Sequence, residues 1–156
     1  MKNIKKQSLK DSLHTAENLY YRLILLVGEP NSGKTMLLNE LAKELNLKVI
    51  NINLTVAKAL LELNVKQRTR VLSECLAHLT EEANTLIILD NIEILFDKHL
   101  QHDALKLLQQ LSRHCTIIAS WSGKISGDQL IYAETNHPEY QSYELKDLLI
   151  IDLNNA

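Results

Sequence analysis

A three-layer α/β/α fold around a parallel, five-stranded sheet is the architecture this sequence predicts. Short apolar runs alternate along the chain with segments whose apolar residues recur at helical spacing. One such run, Arg22-Leu23-Ile24-Leu25-Leu26-Val27, passes through a glycine loop into a helical segment. Strand, loop and helix in that order build parallel sheets covered on both faces. At 156 residues, with 46% apolar and 23% charged residues, the chain can form its own core. It reads as a single domain over 1–156.

The elements follow in chain order. Leu9, Leu13 and Ala16 fall on one side of residues 1–21, with Tyr20 following, which predicts an amphipathic lead-in helix. Residues 22–27 are apolar throughout, as a strand buried on both faces should be. Leu37, Leu38, Leu41, Ala42 and Leu45 mark a helix. Residues 48–54 read as a second strand and residues 56–63 as a short helix. Val71, Leu72, Cys75, Leu76 and Leu79 mark a longer helix, and residues 85–90 a third strand. Ala104, Leu105, Leu108 and Leu111 define another helix. Residues 115–120 and 129–133 supply the fourth and fifth strands, and 148–153 a further strand or a closing helix.

Composition narrows the partners. A net charge of −2 gives no electrostatic argument for nucleic acid or an acidic membrane. The apolar runs are too short to span a bilayer. Met1-Lys2-Asn3-Ile4-Lys5-Lys6 is basic, but no apolar stretch follows, so no secretory signal is expected. Cys75 and Cys115 are far apart and match no metal or redox spacing; they read as thiols of a cytoplasmic protein.

The most informative residues are Gly28-Glu29-Pro30-Asn31-Ser32-Gly33-Lys34-Thr35, which fit the P-loop pattern G-x-x-x-x-G-K-[ST]. Glycines allow the tight turn that aims backbone N–H groups at phosphate oxygens. The helix that opens at Gly33 and runs through Met36 adds free N–H groups and the positive end of its dipole. Lys34 supplies a cation for the β- and γ-phosphates, and Thr35 a hydroxyl for Mg²⁺. Residues 28–36 are therefore the candidate nucleotide cradle.

Thr85-Leu86-Ile87-Ile88-Leu89-Asp90 reads as a buried strand of four apolar residues ending in an acid, as a Walker B strand requires. Asp90 is the expected second holder of Mg²⁺ beside Thr35. Asn91 follows, where a general base often stands, and an amide can orient water but not accept its proton. Glu93 is either a substitute base or a solvated turn acid. Ser120-Trp121-Ser122 closes the fourth predicted strand, and ligands sit at such strand ends. Ser120 is the favoured phosphate sensor, with Ser122 as the alternative.

Other constellations have plainer explanations. Ser122-Gly123-Lys124 imitates the P-loop ending without its helix and reads as a surface turn. Lys66, Arg68 and Arg70 read as a solvated basic face. His99, His102 and Asp103 have helical spacing but no second cluster to complete a metal site. His137-Pro138-Glu139-Tyr140 reads as a turn. The arginines are Arg22, Arg68, Arg70 and Arg113, with none after Arg113.

P-loop, Walker B strand and polar strand end, in this order over residues 20–135, resemble the core of an AAA+ ATPase. That resemblance implies ATP and Mg²⁺ as ligands, and allows a homo-oligomer. Asn91 stands where the family has Glu, no arginine follows the sensor strand, and the helical lid would need further chain. The length near 150 residues, an asparagine-rich second strand (Asn51, Asn53, Leu54), the Leu-Asp-Asn-Ile-Glu run over 89–93, Trp121-Ser122-Gly123 and the Leu130-Ile131-Tyr132-Ala133-Glu134 to His137-Pro138-Glu139-Tyr140 ending resemble a narrower group. This is the BrxF family of small P-loop proteins from BREX anti-phage systems. It implies a role in phage resistance beside larger BREX proteins. Together these features predict a slow or partner-dependent ATPase acting as a nucleotide switch. The alternatives are a stand-alone nucleotide kinase or ATPase, or a partner-binding module with structural nucleotide.

Overall fold

The computed structural model describes residues 2–60, 63–82, 86–98, 103–134 and 136–154. Five parallel strands lie in the order β2-β3-β4-β1-β7. They are β1 (Leu23–Gly28), β2 (Val49–Asn51), β3 (Leu86–Asp90), β4 (Thr116–Ser126) and β7 (Leu149–Asp152). β5 (Gln129–Tyr132) and β6 (Gln141–Glu144) extend the sheet as antiparallel neighbours of the far half of β4. The helices are α1 (Lys2–Ala16), α2 (Lys34–Glu44), α3 (Ile52–Leu60), α4 (Val65–Glu82) and α5 (Ala104–Leu111), with a 3-10 turn over Glu93–Phe96.

The three layers follow from alternation along the strands. Every residue of β1 is buried. Ile24 and Leu26 face Leu9 and Ala16 of α1 and Leu37, Leu38 and Leu41 of α2. Leu23, Leu25 and Val27 face the opposite layer, which holds Val56 of α3, Leu76 of α4 and Leu108 of α5. Each fully buried aliphatic side chain stabilises this sandwich by about 1.5–3 kcal/mol relative to exposure. Lys5 Nζ donates to the Asp152 carbonyl at 2.9 Å, and Lys6 pairs with Glu44 at 2.6 Å, so α1 is fastened to β7 and α2.

The structure corrects several sequence expectations. Residues 48–54 do not continue as a strand, because Asn51 Oδ1 accepts a hydrogen bond from Leu54 N at 3.1 Å and caps a helix that starts at Ile52. The lead-in helix ends at Ala16 rather than reaching 21. The fifth parallel strand is β7, the strand option for 148–153, whereas 129–133 is antiparallel. Ser122-Gly123-Lys124 is not a surface turn but the middle of β4. The turn comes later, at Gly127-Asp128, where Gly127 takes φ 61° between the paired residues Ser126 and Gln129. His99 and His102 lie outside the described residues, and Asp103 caps α5 by accepting from Lys106 N at 3.1 Å.

Among the described residues, no helix is long and apolar enough to cross a membrane. Nor does any group of three His, Cys, Asp or Glu side chains among them form a metal cluster.

Candidate functional site

The carboxyl ends of β1 and β3 converge with the middle of β4 on the loop between β1 and α2. Ser120-Trp121-Ser122 does not close its strand, because pairing with β5 carries β4 on to Ser126. Close packing shapes that loop. A Cβ on Gly28 would lie 2.2 Å from Ser32 Oγ, so only glycine lets the chain fold back over itself here. Asn31 and Gly33 take φ 67° and 96°, the left-handed region, and Gly33 delivers the chain into α2. Glu29 N donates to Asn154 Oδ1 at 3.0 Å, and Asn154 Nδ2 donates to the Gly123 carbonyl at 3.0 Å. Asn154 thus clasps the loop to β4, and nothing in the sequence pattern singled it out.

Lys34 is only 8% exposed. Its ammonium donates to the carbonyls of Gly28 at 2.7 Å and Glu29 at 2.9 Å. Burial pushes its pKa below the ordinary 10.5, against the pull of the Glu93, Asp90 and Glu29 carboxylates. Asp90, at the end of β3, receives two hydroxyls. Thr35 Oγ1 donates to Oδ2 at 2.7 Å, and Ser120 Oγ to Oδ1 at 2.6 Å. Thr35, Asp90 and Ser120 come from α2, β3 and β4, so the sheet order itself assembles the trio.

Asn91 and Glu93 separate. The backbone at Asn91 turns through φ 52°, and its carbonyl accepts from Asn53 N at 3.1 Å. The reversal returns Glu93 to the site. Ser122 Oγ donates to Glu93 Oε1 at 3.1 Å, and Asn53 Nδ2 to Oε2 at 3.5 Å. Asn53 in turn accepts from Ile94 N at 3.0 Å, which fixes its amide. Ser120 and Ser122, alternatives in sequence, serve two different carboxylates. Asn53 was visible only as part of a misread strand.

Glu93 lines a pocket of about 320 Å³ together with Glu29, Pro30, Ser122, Lys124 and His137. One wall is the β4–β5 hairpin. Behind it, Phe96 and Tyr132 stack at 3.5 Å, with Trp121 edge-on to Phe96 at 5.2 Å. Burial pushes the Tyr132 phenol up, with Glu93 and Glu139 adding to the effect. Met36 is half exposed at the start of α2, beside Thr35.

A phosphate fits the donor set. The first-turn N–H groups of α2 have no intrahelical acceptors, Lys34 offers a cation, and the buried Ser32 hydroxyl lacks a hydrogen-bond partner among the described residues. Thr35 and Asp90 form an all-oxygen pair of the kind that Mg²⁺ prefers.

The family model for AAA, the ATPase family associated with various cellular activities, matches residues 24–145. The chain belongs to this family. An AAA domain supports a nucleotide-binding P-loop ATPase, and the family typically uses Mg²⁺. The fold is similar to that in the structure of C. elegans PCH-2, with a TM-score of 0.55 and 17% sequence identity. The match covers 97% of this chain and 42% of that one, so the chain spans under half its length. At this identity the likeness concerns the fold. No curated protein matches the sequence.

Proposed function

We propose that this AAA domain binds Mg-ATP between the 28–36 loop and Asp90 and works as a slow or partner-activated ATPase, a nucleotide switch within a BREX-type anti-phage complex. One observation carries the nucleotide reading: Asp90 holds the hydroxyl of Thr35 while Lys34 is buried at the mouth of the same loop. In this reading, Gly28, Glu29, Pro30, Asn31, Ser32, Gly33 and Met36 shape the cradle. Lys34 exchanges its two loop carbonyls for phosphate oxygens. Thr35 and Asp90 would hold Mg²⁺, which screens phosphate charge. Ser120, hydrogen-bonded to Asp90, keeps that carboxylate oriented and senses what lies beyond it.

Glu93 is the proton acceptor in this reading, with Asn91 serving the backbone turn. Both Glu93 oxygens are engaged, one by Ser122 and one by Asn53. These contacts compete with water for the carboxylate oxygens, so the resting arrangement favours slow hydrolysis. Turnover of the isolated chain should lie well below about 10 s⁻¹. A partner that shifts Asn53 or supplies a further cation accelerates it.

The defence role rests on the resemblance of the 89–93, 121–123 and 130–140 segments to BrxF, which also supports a cytoplasmic setting and BREX proteins as partners. The experiment is a thermal melt with Mg-ATP. A ligand at 100 times its Kd stabilises by about 2.7 kcal/mol, which raises the Tm of a domain this size by roughly 5–10 °C. Lys34→Ala should abolish the shift while leaving the ligand-free Tm in place; an unchanged shift refutes the site. In cells carrying the other defence components, the same variant should lose phage restriction.

A further inference from the structure

We propose that Lys124 is a specificity-determining cation of this site, facing the terminal phosphate of a nucleoside triphosphate and so favouring triphosphate over diphosphate. The proposal deepens the nucleotide reading above and rests on it.

The alternation of β4 carries the argument. Trp121 is fully buried, and Ile125 packs against the same core, so these residues face away from the site. Ser120, Ser122 and Lys124 share the other face. The first engages Asp90 and the second engages Glu93. Lys124 is the next step along this row, and it lines the pocket of about 320 Å³ beside Glu29, Pro30 and Glu93. Ser122 is in register with Gly28, where β1 gives way to the loop. At about 3.3 Å per residue, Lys124 sits roughly 7 Å further along the strand axis. Ligands of parallel sheets lie beyond the carboxyl ends of the strands, and Lys124 lies on that side, one step past the serine that holds Glu93.

Charge supports the placement. Glu29, Glu93 and Glu134 all line this pocket. A terminal phosphate would add negative charge beside them, and Lys34, which donates to the Gly28 and Glu29 carbonyls, is a single cation against these carboxylates. The Lys124 ammonium makes no hydrogen bond or ion pair among the described residues, so it is uncommitted. A diphosphate ends one group short and leaves Lys124 in solvent. The position is also built for: a Cβ on Gly123 would lie 1.8 Å from the Ile131 carbonyl oxygen, so glycine at 123 lets β5 close against β4 and form this wall.

The test compares Mg-ATP and Mg-ADP affinities by calorimetry for the unaltered chain, Lys124→Ala, Lys124→Arg and Lys34→Ala. Lys124 is exposed, so the ligand-free Tm of its variants should not move. Lys124→Ala should weaken Mg-ATP about tenfold, equivalent to about 1.4 kcal/mol, and Mg-ADP less than about twofold, with Lys124→Arg restoring most of the preference. If Lys34→Ala loses binding but Lys124→Ala keeps the ATP/ADP ratio, the Lys124 proposal falls and the site stands. If the unaltered chain binds neither nucleotide, or Lys34→Ala binds both normally, the site assignment falls and takes the proposal with it.

Discussion

Thr35 and Asp90, 55 residues apart in the chain, are joined by a hydrogen bond of 2.7 Å from hydroxyl to carboxylate. Asp90 is 4% exposed and also accepts from Ser120, itself 3% exposed. Removing the carboxylate therefore strands a buried hydroxyl. Asp90→Ala should destabilise the ligand-free protein by about 1–3 kcal/mol, whereas Asp90→Asn, which keeps an acceptor, should cost less. Both should lose the Mg²⁺ dependence of ATP binding, and ATP affinity should suffer more than ADP affinity. Urea denaturation and titrations with and without EDTA separate the two effects. Normal Mg²⁺ dependence in Asp90→Asn would remove Asp90 from the metal site.

Glu93 and Asn53 make a second pair with an opposite signature. Glu93→Gln should stop hydrolysis yet bind Mg-ATP normally, since the shape stays while the proton acceptor goes. Asn53→Ala should release one Glu93 oxygen and raise the basal rate, provided the α3 start survives the lost Ile94 contact. Single-turnover assays decide the matter. A Glu93→Gln variant that hydrolyses at the normal rate would exclude this carboxylate as the base.

The buried Lys34 makes a pH prediction. Its pKa in the folded chain lies below 10.5, so the folded state disfavours the protonated form. The resulting penalty is fully present below the folded pKa and is relieved as pH rises from that value toward 10.5. Lys34→Met should therefore flatten the stability gain that the unaltered chain shows on the alkaline side. Phosphate at the ammonium should restore its proton, so ATP binding just below pH 10.5 should be accompanied by proton uptake, read by calorimetry in buffers of different ionisation enthalpy. Identical heats after correction would contradict this.

Gly123 tests the pocket wall. Gly123→Ala forces β4 and β5 apart, because the new methyl would meet the Ile131 carbonyl at 1.8 Å. The expected cost is about 1–3 kcal/mol in urea unfolding. Gly127→Ala, which meets nothing within 4 Å but keeps φ 61°, should cost about 1–2 kcal/mol through backbone strain alone. A silent Gly123→Ala would mean that the hairpin is not closed as described.

Much of this was legible in the chain. The loop, the Asp90 strand and Ser120 each carry a local signal, namely a spacing or an apolar run with a polar end. Sheet membership was harder, because 129–133 and 148–153 have similar apolar character and only tertiary pairing makes one antiparallel and the other parallel. The glycine-aspartate pair at 127–128 was a usable hairpin signal. Asn51 misled because a residue that alternates with isoleucine like a strand residue also caps a helix. Glu93 could not be settled, since its return to the site depends on the φ of 52° at Asn91. Asn154 and Lys124 reach the site only through long-range pairing.

Trp121 is the single tryptophan of the chain. It sits between the serine that engages Asp90 and the serine that engages Glu93, with its indole N–H on the Ile131 carbonyl at 3.1 Å. Tyr132 and Tyr143 contact it edge-on at 5.9 and 5.7 Å. Its emission should therefore register strain arriving from either neighbour along one backbone. Excited where tyrosine scarcely absorbs, the unlabelled chain becomes its own stopped-flow instrument, able to time ligand arrival and departure without a dye.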